Sequence, residues 1–241
     1  MGKDPRIDAQ NQLLKAENFF KARLFKKSGK MFYQAGNSFL KLEDYDNAKN
    51  CYLYGAQTQI ELEKYGDAVS FSRLAGDCCL YATNFDEAKK IYRDSLNIIS
   101  KEKNSSDKEL HFILFPVLTY LCASIESKHE EGLDFIKKYQ KKVDGEYFKN
   151  APLVKLVTDL TVALRNNNKT LLVKIRDNVD SYKLTQIEKK LLKKVLLISN
   201  SLLNLTSNNI LDKNSYTTND IINLKLSIKT EVLSQISNDK F

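Results

Sequence analysis

From Lys30 to Ser100 the chain repeats itself every twenty residues, and that period governs what it can fold into. Met31, Cys51, Phe71 and Ile91 form an apolar column. Ala35, Gly55, Ala75 and Ser95 form a small one, and Gly36, Ala56 and Gly76 form a second that Leu96 breaks. Tyr45, Tyr65 and Phe85 are each followed three residues later by alanine: Ala48, Ala68 and Ala88. Twenty residues accommodate one helix and one short turn, since a sixteen-residue helix is roughly 24 Å long. Two units make a helical hairpin of about forty residues, inside the ~34–47 residue range of helical-repeat arrays.

The small columns carry the packing argument. Glycine or alanine lets a neighbouring helix approach at the short end of the ~8–10 Å range. Glycine inside a helix costs about 1 kcal/mol relative to alanine, so its recurrence points to contacts that offset that cost. The fold predicted is all-α, a solenoid of antiparallel helix pairs of the tetratricopeptide kind.

In chain order, Asp4-Pro5 reads as a helix start, with Asp as cap and Pro in the first turn. The first helix is predicted over 6–26, and the repeat helices over 29–42, 46–62, 66–82 and 86–100. Asp44, Asn84 and Asp86 lie near helix starts. The array thus covers 1–100. Residues 101–107, KEKNSSD, are polar and aperiodic and read as a linker. Residues 108–204 read as a C-terminal helical bundle continuing the solenoid. Its predicted helices are 109–127, with Pro116 inside it, then 130–143, 152–165, 170–182 and 186–203. Asp144-Gly145 closes the second, Asn166-Asn167-Asn168 forms a turn, and Thr185 with Glu188 makes a capping box. Residues 205–241 read as a polar loop followed by an amphipathic helix over 221–236, capped by Thr218 or Asn219.

Eight glycines and three prolines among 241 residues suit an all-helical chain. The net charge is +8, which permits an acidic protein, an anionic membrane or nucleic acid as partner and requires none. Cys51, Cys78, Cys79 and Cys122 contain no C-x-x-C pair, and buried reduced thiols are expected. The polar start Met-Gly-Lys-Asp-Pro-Arg does not read as a secretory leader, and Arg6 stands where a myristoylation motif needs Ser or Thr. The longest apolar run, 112–125, is shorter than the ~20 residues of a membrane span and reads as a buried helix.

Nucleotide-binding and zinc-protease motifs are missing from the sequence. His111 and His129 have no nearby cysteine ligands and read as surface or helix-end residues. No catalytic constellation, metal site or cofactor site is predicted. Two basic clusters are the candidate partner-binding residues: Lys137, Lys138, Lys141 and Lys142, and Lys189, Lys190, Lys193 and Lys194. The i, i+1, i+4, i+5 spacing sets four ammonium groups along one side of a helix. Like charges at i, i+4 repel by a few tenths of a kcal/mol, a cost that an acidic groove, anionic lipid or nucleic acid relieves. The competing reading is a solvated face opposite Leu191, Leu192, Val195 and Leu196.

Two related families share these features. The Tyr/Phe–x–x–Ala turns, and the apolar helix, Asn-rich turn, helix and apolar helix of 153–203, resemble the soluble NSF-attachment proteins (SNAPs). Phe32-x-x-Ala35-Gly36, Ala48-Lys49-Asn50-Cys51-Tyr52-Leu53, Gly66-Asp67-Ala68 and Leu74-Ala75-Gly76 resemble the first repeats of the huntingtin-associated forty-kilodalton protein family. The segment Leu184-Thr185-Gln186-x-Glu188-x-x-Leu191-Leu192-x-x-Val195-Leu196 resembles that family's last helices. The departures are the short 101–107 segment, where that family has further repeats and a long insert, and the ending Ser237-Asn238-Asp239-Lys240-Phe241, which lacks the leucine-rich terminus of the attachment proteins. The resemblance implies a SNAP-like solenoid and a non-enzymatic adaptor in the cytoplasm, with the nucleus also open to it. Huntingtin would be the large protein partner and early endosomes the setting. The second family implies instead an attachment protein that presents SNARE complexes to their ATPase. Peripheral contact with anionic membrane is compatible with both. A basic nucleic-acid-binding protein is the alternative of another class, and nucleic acid is the least favoured partner.

Overall fold

The computed structural model describes residues 4–103, 108–126 and 128–207. Among these residues it is all-helical, with eleven α-helices, one short 3-10 turn and no strand. The chain divides into two compact units, 1–148 and 149–241.

The first unit holds α1 (Pro5–Lys21), α2 (Phe25–Lys41), α3 (Tyr45–Glu61), α4 (Tyr65–Tyr81), α5 (Phe85–Ile99), α6 (Lys108–Ile125) and α7 (His129–Gln140). Each packs on the next in chain order, so the unit is a solenoid of antiparallel helix pairs. Helices α1 to α4 are each seventeen residues long. Three-residue turns at 22–24, 42–44, 62–64 and 82–84 complete the period.

One backbone device builds all four turns. The middle residue of each lies in the left-handed region: Arg23 (φ 56°), Glu43 (56°), Glu63 (57°) and Thr83 (57°). That conformation aims two N–H groups back at the helix just ended. Leu24 donates to the Phe19 carbonyl and Arg23 to Phe20, both at 2.9 Å, and the same pair of bonds recurs at 43–44, 63–64 and 83–84. This is the Schellman arrangement, which satisfies the last helical carbonyls. It moves the end of α1 from the expected residue 26 back to Lys21 and shifts the next four helix starts and ends back by one to four residues. The aromatic column Phe25, Tyr45, Tyr65, Phe85 opens each helix, and Ala48, Ala68 and Ala88, one turn on, are fully buried.

The chemistry repeats every forty residues, not twenty. Asp44 and Asn84 cap α3 and α5 through Asn47 N–H (3.3 Å) and Glu87 N–H (3.2 Å). The equivalents Leu24 and Lys64 make no side-chain cap. Lys49 bridges Asp46 (3.2 Å) and Glu87 (2.9 Å), while Lys89 bridges Asp86 (2.8 Å) and Glu126 (2.6 Å). Tyr52 donates its hydroxyl proton to Asn37 (2.8 Å) and Tyr92 to Asp77 (3.4 Å). A Cβ at Gly36 would lie 2.7 Å from the Tyr52 ring, and one at Gly76 would fall into the Tyr92 ring. The small columns therefore seat aromatic rings of the following helix. The helical hairpin is the packing unit.

The 101–107 segment does not divide the compact units. It joins α5 to α6, which pack on one another, and the division falls within the short helix α8 (Gly145–Asn150). Helix α6 is long and apolar enough to cross a membrane by length and composition. Here every residue from Phe112 to Ile125 is buried, Pro116 included, as the apolar run predicts for a core helix.

The second unit contains α9 (Pro152–Arg165), α10 (Lys169–Asp177) and α11 (Gln186–Ser207). α9 packs on α10, and α10 on α11. The helix expected over 170–182 breaks at Asn178, whose amide donates to the Lys174 carbonyl at 2.8 Å, and a 3-10 turn, Val179–Ser181, follows. The capping box forms as read: Thr185 N–H donates to Glu188 at 2.7 Å, and Glu188 N–H to the Thr185 hydroxyl at 3.3 Å. α11 runs to Ser207 instead of 203. The rest of the expected loop and the helix over 221–236 lie outside the described residues.

Candidate functional site

The first lysine cluster straddles a helix end. α7 stops at Gln140, so Lys137 and Lys138 are helical, Lys141 is the C-cap and Lys142 stands in the turn. The four-lysine stripe expected along one helical side is not formed there. All four side chains are exposed. Lys137 pairs with Asp134 at 3.0 Å, and the Lys138 ammonium sits 5.6 Å from the Tyr139 ring centre. Cations in a last turn are favoured by the helix dipole, by about 0.3–1 kcal/mol each. Local helix electrostatics thus account for part of this cluster.

The second cluster lies wholly within α11. Lys190 and Lys193 are exposed, whereas Lys189 and Lys194 are half-buried at the margins. Lys189 reaches back to Asp180 at 3.1 Å and holds that carboxyl below the ordinary aspartate range. The opposite face, Leu191, Leu192, Val195 and Leu196, is buried as the amphipathic pattern requires. The two clusters belong to different units, and each stands by itself.

Next to the second cluster is a feature that the lysine pattern did not reveal. Leu172 and Val173 of α10 and Leu196 and Leu197 of α11 line an open groove of about 570 Å³ bordered by Arg176 and Lys193. Val173 is 44 % exposed and Leu197 50 %. The available signal was Leu197, an apolar residue in register with Lys190, Lys193 and Asn200 on the exposed face.

A smaller cleft of about 260 Å³ lies among Lys89, Lys90, Arg93 and Lys128, with Asp86, Asp94 and Glu131. Its charges are largely matched internally. Lys89 is bridged as described, Arg93 pairs with Glu131 at 2.5 Å, and Lys128 with Glu126 at 3.0 Å. Burial pulls the Lys89 ammonium down, and its bonds to Asp86 and Glu126 more than offset this, leaving its pKa above the usual lysine value. The cleft joins helices, and three of its four cations are held in ion pairs.

All four cysteines are buried free thiols. Burial, followed by nearby carboxylates, pushes Cys51 and Cys78 up to about 12, and burial with Glu87 does the same for Cys79. A nucleophilic thiol needs the opposite shift. His129 starts α7, and its Nδ1 lies 2.9 Å from the Ser124 hydroxyl, whose proton is directed to the Tyr120 carbonyl at 2.8 Å. With that proton on the carbonyl, the ring Nδ1 is the donor of this contact. Burial lowers the pKa of His129, opposed by Glu130. Among the described residues no group of three His, Cys, Asp or Glu side chains is placed to hold a metal ion.

No protein-family model matches this sequence, and no curated protein matches it. The likeness to the two helical-repeat families rests on the residues quoted for it above.

Proposed function

We propose that this chain is a non-enzymatic helical-repeat adaptor whose exposed helical faces hold a large protein partner. The observation that carries the reading is the division of labour in the first unit. Glycines and rings join each helix to the next, and the Lys49 bridge reaches from α3 to α5, so the outward faces are left for solvent or a partner. Arrays of this kind present extended surfaces in place of a reaction pocket. By the resemblance, the partner is huntingtin and the setting is early-endosome traffic. A SNAP-type role, presenting SNARE complexes to an ATPase, is the second reading. Buried thiols with raised pKa values and a largely matched charge cleft support binding over catalysis.

The test is capture of proteins from native cytosol, followed by identification of the bound proteins by mass spectrometry, for wild type and for a variant with Lys189, Lys190, Lys193 and Lys194 changed to glutamate. One stoichiometric protein partner, retained at moderate salt, is expected. Tight binding to many nucleic-acid sequences with a log–log salt slope near −0.9 per phosphate, and no protein partner, would overturn the reading.

A further inference from the structure

An adaptor needs a seat, and the α10–α11 groove has the construction of one. Its floor is Leu172 and Leu196, both buried, and its walls are Val173 and Leu197, both substantially exposed. Lys193, Leu196, Leu197 and Asn200 stand at i, i+3, i+4 and i+7 along α11. At ~1.5 Å per residue, 193 to 200 spans roughly 10 Å, two turns of a helix laid alongside. Apolar stripes of this spacing are how grooves receive amphipathic helices.

Charge then selects the helix. α10 and α11 together carry seven cations (Lys169, Lys174, Arg176, then Lys189, Lys190, Lys193 and Lys194) against the two acids Asp177 and Glu188. Glu188 is buried in the capping box. Arg176 pairs with its neighbour Asp177 at 3.1 Å, but both are well exposed, and solvent screens such pairs. Arg176 is therefore available to a better acceptor. Among the described residues the lining has no aromatic ring on which a base could stack, which disfavours single-stranded nucleic acid.

We infer that this groove seats an acidic amphipathic helix of a protein partner, its apolar stripe between Val173 and Leu197 and its carboxylates on Arg176 and Lys193. The inference rests on the adaptor reading and names the chemistry of the partner segment.

The probe is a fluorescein-labelled eighteen-residue synthetic peptide with leucine on one helical stripe and glutamate elsewhere. Its counterpart carries lysine in place of every glutamate. Binding to the full-length protein is read by anisotropy. The acidic peptide should bind at least tenfold more tightly than the basic one, and Arg176→Glu with Lys193→Glu should reverse that order. Val173→Ser and Leu197→Ser should each weaken the acidic peptide about fivefold without lowering the melting temperature. Equal binding of the two peptides, or indifference to the charge reversal, overturns the inference. So does competition by anionic vesicles, or by a synthetic 219–241 peptide, at the concentrations at which the acidic peptide competes. If the groove variants still capture the cytosolic partner that wild type captures, the groove inference fails and the adaptor reading stands. If wild type captures no protein, the adaptor reading itself fails.

Discussion

Gly76→Ala should destabilise this protein although it replaces glycine by the best helix former. Gly76 lies inside α4, and relief of glycine's backbone entropy is worth about 1 kcal/mol in favour of the variant. The new methyl, however, lands in the ring of Tyr92 on α5. That ring has nowhere to go. Tyr92 is fully buried, packs 5.9 Å from the Phe115 ring, and holds Asp77 through a 3.4 Å hydrogen bond. Overpacking costs about 1–3 kcal/mol, and disturbing the hydrogen bond adds about 0.5–1.5 kcal/mol. The net loss is about 2 kcal/mol, or roughly 4–8 °C in melting temperature for a chain of this size. Gly66→Ala is the matched control. It lies in the first turn of the same helix, and nothing is within 4 Å of its added methyl, so it should hold or raise the melting temperature. Circular dichroism melts of both variants decide the matter. Tyr92→Leu in the Gly76→Ala background should cost less than the sum of the single changes, because the smaller side chain vacates the site. A Gly76→Ala protein as stable as Gly66→Ala would refute the close-packing argument for the small columns.

Thr83 is β-branched and exposed at φ 57°, where such residues are outliers, so Thr83→Gly should stabilise by about 0.5–1 kcal/mol in urea titrations; an unchanged midpoint would show that the turn carries no strain. The four buried thiols should all resist a chromogenic aromatic disulfide at pH 7.5 in the native protein and all react in denaturant, and fast native reaction at Cys78 or Cys79 would contradict their burial. His129 has a folded pKa below its ordinary 6.5. The unfolded chain therefore binds the extra proton first as pH falls, and the His129 contribution, complete above pH 6.5, is lost as pH drops through the folded pKa. The slope cannot exceed about 1.4 kcal/mol per pH unit for one proton. His129→Gln should flatten the stability profile just below pH 6.5, and an identical profile would mean that the ring is solvated.

The array was legible because its constraints are local and repeated. A methyl-sized column recurring at 35, 55, 75 and 95 survives any uncertainty about one helix. The turns were misplaced because their left-handed residues are Arg23, Glu43, Glu63 and Thr83, none of them the glycine that normally marks such a cap. Helix α8 was hidden for a similar reason. Asp144-Gly145 reads as a terminator, yet Asp144 caps a new turn by accepting the N–H groups of Glu146 and Tyr147, both at 3.0 Å. The lysine clusters show what spacing leaves out. It sets which residues share a helix face, but the end of α7 at Gln140 and the reach of Lys189 to Asp180 are tertiary facts with no periodic trace.

The forty-residue repeat of polar contacts explains why this array holds a fixed order. Apolar columns of period twenty would let a helix pack equally well one place further along, since every helix offers similar small and large residues. Lys49 and Lys89 remove that degeneracy. Each bridges its own first turn and a carboxylate near the start or end of a later helix, Glu87 for one and Glu126 for the other. Lys64, the N-cap of α4, and Val69 within it stand one period from Asp44 and Lys49, and Val69 has no charge to bridge with. A slip by one helix would take Glu126 away from the Lys89 ammonium, 6 % exposed, and leave it only the exposed Asp86 of its own first turn. The Glu87 and Glu126 bridges therefore favour one register: the apolar columns drive collapse, and the charged ladder of period forty distinguishes one neighbouring helix from another.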